Sequence, residues 1–217
     1  MRIIEVKKDI LSKNDEVAAR TRRSLREKGI FTINLISSPG AGKTTLLVRT
    51  IEDLKSRIPM AVIEGDQQTD NDARKIAATG VPVIQVNTQS ACHLDAAMVE
   101  TALEKLGFAG PGLLFIENVG NLVCPASYDL GEDMKVAVVS VTEGEDKPVK
   151  YPKAFRVSSA MAISKTDLLP HLDLDMGRLL DYALKVNRSL EVFHLSAKTG
   201  DGLSEWYEFL ISKAEPE

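Results

Sequence analysis

The segment Ser37-Ser38-Pro39-Gly40-Ala41-Gly42-Lys43-Thr44-Thr45 sets two glycines, a lysine and a hydroxyl residue at the spacing that cradles a chain of phosphates. Gly40 and Gly42 allow the tight backbone curl in which successive N–H groups point inward at phosphate oxygens. A helix opening at Lys43 adds its positive end, with Ala41 and Thr45 completing the loop around it. Lys43 can reach the β- and γ-phosphates, and the Thr44 hydroxyl can ligate Mg²⁺. Ser37 stands where the usual pattern has its first glycine.

Two further segments select the base. Ser164-Lys165-Thr166-Asp167 and Ser196-Ala197-Lys198 look like the guanine-specifying motifs of GTPases. The Asp167 carboxylate can accept from both N1–H and the exocyclic amine of guanine, whereas adenine would leave it unpaired. The Lys165 stem can cover the base plane, and the Ala197 amide can donate to O6. Acidic residues beside the phosphates complete the chemistry. Asp66, in Glu64-Gly65-Asp66, can hold Mg²⁺ or orient the attacking water. Glu117, in Glu117-Asn118-Val119-Gly120, is a longer substitute for the usual aspartate, and the Gly120 amide can sense the γ-phosphate.

The two cysteines lie close to these segments. Cys92 adjoins His93, and Cys124 follows Gly120 by four residues. Thiolate and imidazole suit Zn²⁺ and Ni²⁺. The pattern predicts that Cys92 and His93 open a helix over Ser90–Lys105, where adjacent side chains diverge by about 100° and chelation needs a frayed start. Three ligands fall short of a closed structural zinc site, which implies a labile ion or a site completed by a second chain. Buried thiols and a surface imidazole are the plainer alternative.

These groups need a scaffold, and 217 residues provide for one domain with an appendage. Short apolar runs at Phe31–Ile36, Met60–Ile63, Val83–Val86, Leu113–Ile116, Val136–Val141, Ala160–Ser164 and Val192–Leu195 read as strands covered on both faces. Helical patterns separate many of them, at Lys43–Arg57, Asp70–Ala78, Ser90–Lys105, Leu174–Val186 and Gly202–Lys213, with Gly80 and Gly107 as helix stops. This alternation predicts an α/β fold, a doubly wound, mostly parallel sheet with helices on both faces over residues 30–217. Residues 1–29 read as an N-terminal helical extension capped by Ser12 or Asn14 and stopped at Gly29; its arginines suit a solvated face or a docking arm. A net charge of −4 argues against nucleic-acid or acidic-membrane partners. No run approaches the ~20 apolar residues of a membrane span, and no leader is recognisable, so a soluble cytoplasmic chain is expected.

Together with Cys92-His93-Leu94-Asp95-Ala96, Glu117 through Pro125 and Ser196-Ala197-Lys198-Thr199-Gly200, the motifs resemble the hydrogenase nickel-incorporation GTPases (HypB family) from about Ile33 to Leu210. These belong to the same nucleotide-dependent dimerising P-loop NTPase class as the urease accessory GTPase. The resemblance implies a slow GTPase that helps place nickel in a [NiFe]-hydrogenase precursor alongside other nickel-maturation proteins. It implies that Cys92, His93 and Cys124 bind Ni²⁺ or Zn²⁺ at a homodimer interface. Two departures stand out. Met1–Ile30 carries neither the cysteine-rich nor the histidine-rich nickel segment of some members, so the interfacial site is expected to serve alone. Ser164 replaces the family's asparagine and is expected to weaken a hydrogen bond to the phosphate loop. A small-molecule kinase would need lid arginines, for which Lys147–Lys153 is a sparse candidate. A metal-storage or sensing module and a cobalamin-enzyme chaperone are the other readings; the Cys/His cluster opposes the last.

Overall fold

All seven apolar runs become strands in the computed structural model, which describes residues 6–214. They are β1 (Ile30–Ser37), β2 (Met60–Asp66), β3 (Val83–Asn87), β4 (Gly112–Glu117), β5 (Met134–Ser140), β6 (Ala160–Ser164) and β7 (Glu191–His194). Every pairing is parallel, in the order β3-β2-β4-β1-β5-β6-β7. Both faces are covered, which explains why the strands read as nearly unbroken apolar runs. On one face Leu35, Val62, Phe115 and Val136 pack under α2 (Lys43–Leu54) and α8 (Leu203–Ala214), where Trp206 Nε1 donates to Thr50 Oγ1 at 3.0 Å.

The opposite face divides at β1. One half packs Ile63, Leu114 and Ile116 against Leu25 of α1 (Val6–Glu27) and Val99 of α4 (Ala96–Leu106). The other packs Val139, Met161 and Ile163 against Phe155 of α6 (Pro152–Val157) and Leu179 of α7 (Met176–Val186). The remaining α-helices among the described residues are α3 (Asn71–Ala77) and the short α5 (Lys147–Lys150). The expected basic loop over Lys147–Lys153 is therefore largely helical. No helix among the described residues is long and apolar enough to cross a membrane.

Three local expectations give way to long-range contacts. The N-terminal helix already runs from Val6, so neither Ser12 nor Asn14 caps it. Asn14 is instead buried and docks the helix: its Nδ2 donates to Asp129 O at 2.7 Å and its Oδ1 accepts from Ala96 N at 2.9 Å. The arginines do not form a simple solvated face, because Arg20, Arg22 and Arg26 pair with Glu100, Asp129 and Asp133. The Arg20 pair is exposed and adds little, whereas Arg22 and Asp129 are partly buried and Arg26 meets a buried carboxylate, so these two join Asn14 and Leu25 in holding the helix. Finally, α4 begins at Ala96 with Asp95 as its N-cap, accepting from Met98 N, and ends as expected on Gly107 at φ 67°. Gly80, at φ +86°, sits in the turn just after α3.

Candidate nucleotide and metal sites

The phosphate loop follows β1 at the carboxyl edge of the sheet, where ligands bind in open α/β folds. Gly40 and Gly42 adopt φ +76° and +91°, which side-chain-bearing residues rarely sustain. They line a cleft of about 470 Å³ together with Lys43, Thr44, Asp66 and Glu117. Ser37, the substitute for the first glycine, accepts from Lys43 Nζ at 2.9 Å and so aims the ammonium along the loop. Burial pushes the Lys43 amine below its usual range, opposed by the charge of Glu117.

Thr44 Oγ1 donates to Glu117 Oε1 at 2.6 Å. Glu117 is 4% exposed and its Oε2 has no hydrogen-bond partner; burial pushes its carboxyl upward, opposed by Lys43 and Thr44. A second acid, to which the sequence reading gave no role, stands beside it. Glu64 is the register partner of Glu117 across the β2/β4 pairing, is 3% exposed, and also leaves its Oε2 unpartnered. Burial and then the Glu117 charge raise its pKa to about 8. Its signal was register: a fully buried strand that carries on past Ile63 into an acid. Two orphaned buried carboxylate oxygens next to a threonine hydroxyl fit a hard divalent cation such as Mg²⁺. Asp66 reaches the same cleft but folds onto its own loop, accepting from Gln68 N at 2.9 Å and Thr69 Oγ1 at 3.3 Å. Partial burial works against its charge, yet those hydrogen bonds outweigh it and hold the carboxyl below the usual range.

The raised Glu64 pKa makes a sign-definite prediction for the protein without nucleotide or divalent cation. Between 4.5, its ordinary value, and about 8, the folded state holds a proton that the unfolded state releases. This contribution to stability is complete below the lower value and is lost as pH rises through the window, by up to about 1.4 kcal/mol per unit. Glu64→Gln should flatten that part of the melting-temperature profile between pH 5 and 8. An unchanged slope would show that Glu64 is ordinary.

A second cleft of about 250 Å³ adjoins the first and is lined by Thr45, Ser164, Lys165, Asp167, Ala197 and Lys198, among others. Ser196 Oγ donates to Asp167 Oδ1 at 2.6 Å and so fixes the carboxylate's rotation. Lys165, at φ 60°, extends to the phosphate loop, its Nζ donating to Gly40 O at 2.7 Å. The hydrogen bond from position 164 to the phosphate loop is made. The Ser164 hydroxyl donates to Ala41 O at 2.6 Å, because β6 brings the serine close enough for a short side chain to span the gap.

Cys92 and His93 lie in the loop between β3 and α4, not at a helix start, so helical divergence does not separate them. Cys92 Sγ is 2.9 Å from Cys124 Sγ and 3.7 Å from His93 Nδ1, and one ligand atom from each residue lies within 4.8 Å of the others. The His93 ring packs on Tyr128 with centroids 4.0 Å apart. Burial lowers the His93 pKa, against the pull of Asp95, and favours the neutral imidazole that can bind a metal. All three residues are half-buried. Their loop is tied to both phosphate-side segments: Gln67 Nε2 donates to Ala91 O at 3.2 Å and Asn121 Nδ2 to Cys92 O at 3.3 Å.

A phosphate loop after the first strand of a parallel sheet, with the buried Glu117 lining its cleft, defines a P-loop nucleotide-binding protein. The family described as CobW/HypB/UreG, nucleotide-binding domain matches residues 31–194. The hydrogenase maturation factor HypB of Azotobacter vinelandii is 56% identical over 209 residues, covering 96% of this chain and 69% of that protein. Two solved structures superpose closely. HypB of Archaeoglobus fulgidus gives a TM-score of 0.88 at 36% identity, covering 94% of this chain and 100% of that one. HypB of Helicobacter pylori in complex with nickel gives 0.86 at 37% identity, covering 93% and 95%. The chain belongs to the HypB family of hydrogenase maturation factors.

Proposed function

We propose that the chain is a GTP-hydrolysing metallochaperone of the cytoplasm that gates a Ni²⁺ or Zn²⁺ site with its nucleotide and assists nickel insertion into a [NiFe]-hydrogenase precursor, together with other nickel-maturation proteins. Asp167, Ser196, Ala197 and Lys198 read guanine, and Lys165 covers it. The amides of Gly40 to Thr45 and the Lys43 ammonium cradle the phosphates. Thr44, Asp66 and Glu117 would hold Mg²⁺, which when bound neutralises charge on the transferring phosphoryl group. Asp66 turns from its own loop to orient the attacking water. Without a cation supplied by a partner, turnover is slow.

The cargo is the ion held by Cys92, His93 and Cys124, and three protein ligands per chain leave the shell to be completed across a homodimer. The observation that carries the reading is the Asn121 bond to Cys92 O, which ties the segment after Glu117 to the thiol loop. The nickel in the Helicobacter pylori structure supports the identity of the ion. Light scattering with Ni²⁺ titration, in GDP and in a non-hydrolysable GTP analogue, tests it. A dimer that binds Ni²⁺ with different affinity in the two states is expected. Identical affinity and stoichiometry would overturn the gating.

A further inference from the structure

The Cys92 loop and the phosphate-side segments share one buried side chain. Asn118, 1% exposed, accepts at Oδ1 from Leu94 N at 3.2 Å and Val119 N at 3.0 Å. Its Nδ2 donates to Asn34 Oδ1 at 3.3 Å. Asn34 sits inside β1 and donates in turn to Glu132 Oε1 at 3.3 Å, so one end of the chain is anchored in the sheet. At the other end, the Leu94 amide belongs to the peptide unit that joins it to His93.

Leu94 is also gripped from a second side. Its side chain is fully buried, and a Cβ built on Gly65 would stand 2.8 Å from Leu94 Cγ. The residue next to the candidate metal ligands is thus held at its amide by the segment after β4 and at its side chain by the segment that ends β2. Asn118 lines neither the phosphate cleft nor the thiol and imidazole cluster, whereas its neighbours Glu117, Val119 and Gly120 line the cleft.

Resting on the gated-metal reading above, we propose that Asn118 is the positioning residue that transmits nucleotide state to the metal loop, with Leu94 as its follower. A displacement of Val119–Gly120 must carry Leu94 with it or leave buried donors unpaired, and the second course is the costlier. Closure around phosphate therefore moves His93 and Cys92 without contact between nucleotide and ion. Coupling between two ligands is reciprocal, which provides a second readout of the same coupling from the nucleotide side.

The test is the ratio of Ni²⁺ dissociation constants in GDP and in a non-hydrolysable GTP analogue, measured on the full chain. In the native protein a ratio of about tenfold is expected, within the usual range of such couplings. In Asn118→Ser the ratio should collapse towards one while the affinity in GDP stays within about threefold of native. The effect of Ni²⁺ on nucleotide affinity should shrink by the same factor. A folded Asn118→Ser that keeps the native ratio, or that loses affinity equally in both states, overturns the proposal. A native ratio of one sinks the gated-metal reading itself, and the two failures are thereby distinct. If Asn118→Ser does not fold, Asn118→Thr fills more of the buried volume while its hydroxyl falls short of Leu94 N. A ratio that collapses towards one supports the proposal, and a native ratio overturns it.

Discussion

Asp167→Asn is expected to exchange guanine for xanthine. The carboxylate offers two acceptors, and Ser196 Oγ already fixes Oδ1, so an amide nitrogen would take the remaining corner. That nitrogen would face the exocyclic amine of guanine, donor against donor. Losing the bond to the amine, and the charge on the acceptor that still takes N1–H, costs about 2.5–4 kcal/mol, so GTP affinity should fall by about 10²–10³-fold. Xanthine carries a carbonyl in place of the amine and should gain correspondingly. Competition between labelled GTP and XTP, with ATP as the control, reads the exchange directly. GTP affinity within a few-fold of native would show that this cleft does not read the base.

The second large effect lies on the metal side. Cys92→Ala combined with Cys124→Ala removes two of the three clustered ligand atoms and leaves one imidazole. Nickel affinity should drop by at least about a thousandfold, roughly 4 kcal/mol, in competition with a chromogenic chelator. Both thiols are only half-buried, so unfolding should change little. For the native protein, affinity should weaken on acidification, since thiolate and neutral imidazole are the ligating forms. Full nickel affinity in the double variant would place the ion elsewhere.

Most of this architecture is legible in the chain, because burial on both faces makes each strand of a parallel sheet announce itself locally. The phosphate loop is equally local: its glycines, lysine and threonine act through nearby backbone. What escaped depends on contacts between distant segments. Helix α4 starts late because Cys92 and Leu94 are held by Asn121 and Asn118, more than twenty residues away. Asn14 reads as a helix cap by type, yet its partners are Asp129 and Ala96. Glu64 acquires its raised pKa from burial in the sheet and then from the register that seats it beside Glu117. Ser164 seemed too short until the position of β6 was known.

The strand order has a consequence for how such a protein diversifies. The clustered thiols and imidazole emerge after β3 and β4 on one flank of β1, and the proposed base-reading residues after β6 and β7 on the other. The phosphate loop of the central strand lies between them, and Asp66 and Glu117 join it from the thiol-bearing flank. An exchange of donor atoms on that flank leaves the residues proposed to read the base on the far side of the sheet.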